Sequence, residues 1–176
     1  INSGSGNQGI TASVPVIVYA EELGVSQDKL YRALVLSNLI AIHQKTGIGR
    51  LSPYCGAESA GCAAAGAMSW LDGGGYDAVA HTVVNGLAMT AGIVCDGAKA
   101  SCAGKIAMAV ESGLLGYHMY QKGHQFWGGE GIVIRGVDNT IRNVGALARE
   151  GMKETDRKIV ELMLEGLGGN SDSAGC

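Results

Sequence analysis

Between Cys55 and Met68 the chain reads Gly56-Ala57-Glu58-Ser59-Ala60-Gly61-Cys62-Ala63-Ala64-Ala65-Gly66-Ala67, a run with almost no side-chain bulk. Alanine favours the helix, and a helix this thin is buried only if its neighbours pack very close. Cys62 lies seven residues after Cys55, on roughly the same helix face, and reads as a small buried hydrophobe. The rest of the composition demands the same kind of core. Of 176 residues 29 are glycine, and aromatics make up 5% against 47% hydrophobic. The core must therefore come from Ala, Gly, Val, Leu, Ile and Met. The expected fold is mainly α, a compact bundle of tightly packed helices with small-residue interfaces. The length fits one domain, expected to span residues 1–167, with 168–176 a flexible tail by composition.

A net charge of −3 and a pI near 5.8 argue against a nucleic-acid partner. The longest apolar run, residues 78–95, carries His81 and Asn85 and is too polar for a membrane span. Five cysteines are an odd number with no spacing of a secreted disulfide framework. With no signal peptide recognisable, a reduced, cytoplasmic setting is the default. The chain starts without Met, in mid-motif, which reads as a fragment of a longer protein.

The polar, glycine-rich opening Asn2-Ser3-Gly4-Ser5-Gly6-Asn7-Gln8-Gly9 runs into a helix expected over 10–22. A loop of this kind before a helix offers backbone N–H groups and a positive dipole end to an anion. Walker and Rossmann patterns are absent. Ser26 is a good N-cap for a second helix, in which Leu30, Ala33, Leu34, Leu36, Leu39, Ile40 and Ile42 supply an apolar face. His43 and Lys45 sit near its end, just upstream of Cys55. Residues 76–94 read as a long buried helix delivering Cys95, and Ser101 as the cap of the next helix, through Tyr120. His81, His118 and His124 lack metal-site spacing and read as structural. Ile132-Val133-Ile134 is a short extended candidate. An amphipathic helix is expected over 138–150. Thr155 should cap a last helix that carries Ile159, Val160, Leu162, Met163 and Leu164, with Glu154, Asp156, Arg157, Lys158 and Glu161 solvated.

The chemistry-bearing segment is Cys95-Asp96-Gly97-Ala98-Lys99-Ala100-Ser101-Cys102, with Cys55 upstream. One cysteine would end a helix and another would start the next. A helix N-terminus and the nearby Lys99 would favour the Cys102 thiolate, the form that binds metal. Three thiolates gathered by helix packing suit a metal or an iron–sulfur cluster, although two cysteines seven apart match no common zinc pattern.

Several segments together resemble the iron–sulfur-dependent L-serine dehydratase alpha chain family. They are residues 2–11, Ala41-Ile42-His43-Gln44-Lys45-Thr46-Gly47, Tyr54-Cys55-Gly56-Ala57 and Gly92-Ile93-Val94-Cys95-Asp96-Gly97-Ala98-Lys99. The match is closer to the branch that includes L-cysteine desulfidases, and Gly151-Met152-Lys153-Glu154-Thr155-Asp156 fits the same branch. The resemblance extends to about Glu165 and covers the C-terminal part of the family chain. It implies a largely helical catalytic domain and a [4Fe-4S] cluster on Cys55, Cys95 and Cys102, with one iron open to substrate. The dehydratase branch spaces its second and third cysteines more widely than Cys95 and Cys102.

The implied reaction is α,β-elimination of L-serine or L-cysteine to pyruvate and ammonia, with sulfide also released from cysteine. Ser3, Gly4, Ser5, Gly6 and Asn7 would hold the substrate carboxylate. His43 or Lys45 would orient substrate or move its proton. The expected partners are a small amino-acid substrate and either a second copy or the family's N-terminal half. Cys176, a thiol beside the terminal carboxylate, would mimic substrate at the open iron, against the plainer reading of a disordered end. Two rival classes are a non-enzymatic helical oligomerisation domain and a structural zinc protein.

Overall fold

The computed structural model describes residues 1–49 and 52–168. The expected flexible tail, and Cys176 with it, falls outside these residues beyond Gly168. The described chain is helical: α1 (Gly6–Glu22), α2 (Gln27–Ile48), α3 (Gly56–Leu71), α4 (Tyr76–Thr90), α5 (Cys102–Gln121), α6 (Val137–Ala146), a π-helical turn (Leu147–Gly151) and α7 (Lys153–Gly168). Among the described residues the only β pairings are two isolated bridges, Asn2 with Ser5 and Tyr54 with Val94.

The small-residue run forms α3, and α3 is the axis of the bundle. Every residue of it except Trp70 is buried, and α1, α2, α4 and α5 all pack on it. The crossings need glycine. A Cβ added at Gly61 would lie 2.6 Å from the carbonyl carbon of Ala109 on α5, and one at Gly113 would lie 2.6 Å from the Ala65 Cβ. At the α4 crossing, a Cβ on Gly86 would lie 2.7 Å from the Cys62 sulfur. Cys62 is fully buried against Val83, Leu87 and Ile141. Burial pushes its thiol up to about 12, which suits an inert packing role.

Several element boundaries differ from expectation. α1 begins at Gly6, not Ile10, because the Ser5 hydroxyl accepts from the Gln8 N–H and caps the helix there. Gly9 lies inside α1, where a Cβ would stand 2.6 Å from the backbone nitrogen of Ile1; the glycine lets the N-terminal segment fold back across the helix. α4 stops at Thr90, not Val94, since Gly92 takes a φ of 142° and the chain turns into the Tyr54–Val94 bridge. Ser26 caps α2 as expected. Its buried seam is Ala33, Ser37, Ala41, Gln44, Lys45 and Ile48, while Leu39 and Ile42 from the expected apolar face are exposed. Small residues win the inner face because α2 lies close to α3. Residues 132–134 form no strand: the Ile134 N–H donates to the Thr140 hydroxyl instead of to a ladder. Thr155 lies inside α7 and caps nothing, because the π-helical turn leads almost directly into Lys153. The charged residues of α7 are solvated as expected, but Val160, Leu162, Met163 and Leu164 are exposed as well. No helix among the described residues is long and apolar enough to cross a membrane.

Candidate functional site

α3 and α4 form a helical hairpin, and the two segments at its open end run antiparallel. The Cys55 N–H donates to the Ile93 carbonyl and the Cys95 N–H to the Pro53 carbonyl. This pairing brings Cys55 and Cys95 side by side, although 40 residues separate them in sequence. Cys95 thus arrives on an extended segment, not on a helix end. Gly97, with a φ of 89°, then turns the chain back, so that Cys102 opens α5 beside the other two. The Lys99 N–H points at the Cys102 sulfur, and that sulfur contacts the Gly97 carbonyl.

The three thiols line one cavity of about 100 Å³, together with Ser5, Asn7, Gln8, Gly56 and Lys105. The N-terminus of α1 forms the opposite wall. The N–H groups of Gly6 and Asn7 have no partner among the described residues; those of Gln8 and Gly9 are taken by Ser5. Gly56 leaves room for the Gln8 side-chain amide, which an added Cβ would approach to 2.3 Å. Burial pushes the Cys55 thiol up, opposed by a hydrogen bond from the Ala57 N–H.

Lys45 and His43 divide. Lys45 is buried; burial pushes its ammonium down, and negative charge on Cys95 and Cys55 opposes this. His43 is on the far side of α2, exposed and 3.0 Å from the Asp138 carboxylate. Two residues along a helix are about 200° apart, so one helix cannot aim both side chains at one site. His43 is thereby removed from the candidate catalytic set. Of the expected substrate-binding residues, Ser5 and Asn7 line the cysteine cavity. Ser3 lines a separate hollow with Lys45 and Thr46. Gly4 and Gly6 line neither. Gly4 sits at positive φ in the tight turn that precedes α1.

Two charged residues beside the cysteines escaped the sequence reading. Lys105, one turn after Cys102, donates to the Val94 carbonyl and pairs with Asp96, pinning the cysteine loop. Glu58, one turn after Cys55, is fully buried, and neither carboxylate oxygen has a hydrogen-bond partner. Spacing of i, i+3 from each helix-opening cysteine was the available signal. Burial pushes Glu58 up from 4.5 to about 8; the Tyr54 hydroxyl lies close enough to oppose this but falls outside hydrogen-bonding geometry. Between those values the folded state holds a proton that the unfolded state releases, so stability falls as pH rises. We expect a loss approaching ~1.4 kcal/mol per pH unit between about 5 and 8, read from urea midpoints. Glu58→Gln should flatten that slope; an unchanged slope would remove Glu58 as its origin.

Three thiols with no carboxylate among the lining residues are a soft donor set of the iron–sulfur kind. Among the described residues no three His, Cys, Asp or Glu side chains converge on a single-ion site.

A family model for the serine dehydratase alpha chain matches residues 1–161. The UPF0597 protein of Desulfitobacterium hafniense is 63% identical over 164 residues, which are 93% of this chain and 38% of that protein. The corresponding protein of Treponema denticola is 52% identical over 164 residues, 93% of this chain and 38% of its own. That of Fusobacterium nucleatum is 47% identical over 161 residues, 92% and 38% respectively. The chain thus spans about two fifths of the length of these curated relatives. No solved structure matches it significantly.

Proposed function

The chain belongs to the serine dehydratase alpha chain family, and from that premise we propose that it serves a lyase acting on L-serine or L-cysteine. The reaction is α,β-elimination, giving pyruvate and ammonia, and sulfide as well when cysteine is the substrate. The observation that carries this reading is the gathering of Cys55, Cys95 and Cys102 on one cavity that also receives the start of α1.

Cys55, Cys95 and Cys102 would hold a [4Fe-4S] cluster, which would supply a Lewis acid for the β-hydroxyl or β-thiol. The remaining roles fall to the chain's own groups. The free N–H group of Asn7, at the positive end of α1 and on the cavity wall, receives the substrate carboxylate. The Asn7 side chain lies on the same wall. Lys105 fixes the cysteine loop through the Val94 carbonyl and Asp96 and keeps positive charge beside the thiolates. Lys45 is the candidate base: it lines the adjoining hollow and not the cysteine cavity itself, but it feels the charge of Cys95 and Cys55, and burial favours its neutral amine, which can accept the α-proton. Loss of that proton and of the β-substituent leaves aminoacrylate, which tautomerises to the imine and is hydrolysed by water.

The test uses anaerobically purified protein. Iron, acid-labile sulfide and the absorption spectrum are measured together with pyruvate formed from L-serine and L-cysteine. About four irons per chain are expected for one cluster. Lys45→Met should keep the iron and lose roughly 10²-fold or more in turnover, the usual contribution of a general base. No iron after anaerobic reconstitution would overturn the cluster. Unchanged turnover in Lys45→Met would take the base role from Lys45.

A further inference from the structure

The connection between α5 and α6 spans 15 residues, 122–136, with no helix or strand. Connections of that length in a compact domain are uncommon and tend to carry function. This one is firmly held. The Phe126 N–H donates to the Asn85 side chain, whose amide in turn donates to the Gly116 carbonyl. The Ile134 N–H donates to the Thr140 hydroxyl, and the Asn143 amide donates to the Ile132 carbonyl. Pinned to α4, α5 and α6 in this way, the loop closes one wall of a cavity of about 450 Å³. That volume suits a small organic ligand. None of its lining residues lines the cysteine cavity.

Its walls have two characters. Phe126, Trp127 and His81 give an aromatic side. The His81 ring stacks on Tyr120 at 5.3 Å and meets the edge of Trp127 at 6.5 Å, and its buried Nδ1 has no partner. Trp127 is nonetheless 62% exposed, a large aromatic surface held at the cavity instead of being packed away. The polar side carries one charge of each sign, Asp77 and Arg135. Neither makes a side-chain hydrogen bond or ion pair among the described residues, and they form no ion pair with each other. Arg135 immediately precedes α6, whose N-cap Gly136 supplies no side-chain cap, so positive potential is concentrated on that wall.

We propose that this cavity is a second ligand site, for a free α-amino acid with an apolar side chain. Arg135 takes the carboxylate, Asp77 the ammonium, and Trp127 with Phe126 the side chain. The observation behind it is a pair of unpartnered, opposite charges facing one aromatic-walled cavity. It does not rest on the lyase reading, because it uses neither the cysteines nor their cavity.

The probes are L-leucine, L-methionine and L-phenylalanine, which lack the β-hydroxyl or β-thiol that elimination needs. Calorimetric titration of the purified protein should show saturable binding of at least one. Arg135→Ala and Asp77→Asn, both at exposed positions, should each weaken it at least tenfold with unchanged thermal unfolding. 4-Methylpentanoate, which lacks the ammonium group of leucine, should bind at least tenfold more weakly than L-leucine. Cys55→Ser should bind like the parent protein. Absence of binding by all three probes overturns the proposal, as does binding that survives both charge substitutions or that disappears in Cys55→Ser.

Discussion

Cys55→Ser, Cys95→Ser and Cys102→Ser should each yield protein without bound iron and without measurable pyruvate formation, whereas Cys62→Ala should keep both. The contrast arises from placement. The pairs Cys55/Cys62 and Cys95/Cys102 have the same seven-residue spacing, yet three of the four sulfurs line one cavity and Cys62 is sealed among Val83, Leu87 and Ile141. A serine hydroxyl is a poor, hard substitute for a soft thiolate toward iron and sulfide. A three-thiol set has no spare ligand, so loss of one leaves two. At Cys62 the expected damage is to stability alone, on the order of 1 kcal/mol for the small volume removed. Iron content, acid-labile sulfide and circular dichroism together separate a lost ligand from a lost fold. Retention of iron in Cys102→Ser would remove Cys102 from the set. Loss of iron in a folded Cys62→Ala protein would mean that the buried thiol, not the cavity, organises the metal.

The second large effect concerns the helix crossings. Gly61→Ala should destabilise the protein by an amount at or above the upper end of the ~1–3 kcal/mol typical of overpacking. The added Cβ would meet the carbonyl carbon and oxygen of Ala109 at 2.6 and 2.8 Å. These are backbone atoms of α5, which no rotamer change can move aside, so α3 and α5 must separate along their contact. Helix propensity pulls the other way, since Ala is favoured over Gly by about 1 kcal/mol in a helix interior. Gly104 on α5 isolates that opposing effect: nothing lies within 4 Å of its added Cβ. Gly104→Ala should therefore stabilise by up to about 1 kcal/mol. Urea denaturation of the two variants should move the midpoint in opposite directions. A shift of the same sign in both would mean that glycine flexibility, not interhelical clearance, is what these positions provide.

Much of this was legible in residues 56–68, because a helix without bulk has one use in a packed helical core, and the structure places it at the axis. Cys55 and Cys102 were legible at helix starts, whereas Cys95 was expected at a helix end and instead follows the turn at Gly92 on an extended segment. The failures have a common cause. The sequence shows which residues share a helix but not which face looks inward. His43 and Lys45 are neighbours in the motif and yet sit on opposite sides of α2. Leu39 and Ile42 follow an apolar period and yet face out, because Ala33, Ser37 and Ala41 permit the closer approach to α3. Asn7-Gln8-Gly9 looked like loop because glycine usually breaks helices. Here Gly9 serves clearance for the backbone at Ile1, a contact invisible before folding. The charges at Asp77 and Arg135 are 58 residues apart, and only the pinned loop brings them to one cavity.

The pairing of Tyr54 with Val94 has a consequence for how the site assembles. The hairpin of α3 and α4 is one continuous stretch, and closing it brings Cys55 and Cys95 together with no additional chain to organise. Cys102 follows seven residues later. Cys55 and Cys95 are 40 residues apart and Asn7 and Cys55 are 48 apart, so the two closures cost nearly the same loop entropy. The free N–H groups of α1 reach the cavity only when residues 1–22 dock on α3 from the other side. The thiol wall and the N–H wall of the cavity are thus two separate closures of similar length, one within the α3–α4 hairpin and one made by the docking of α1.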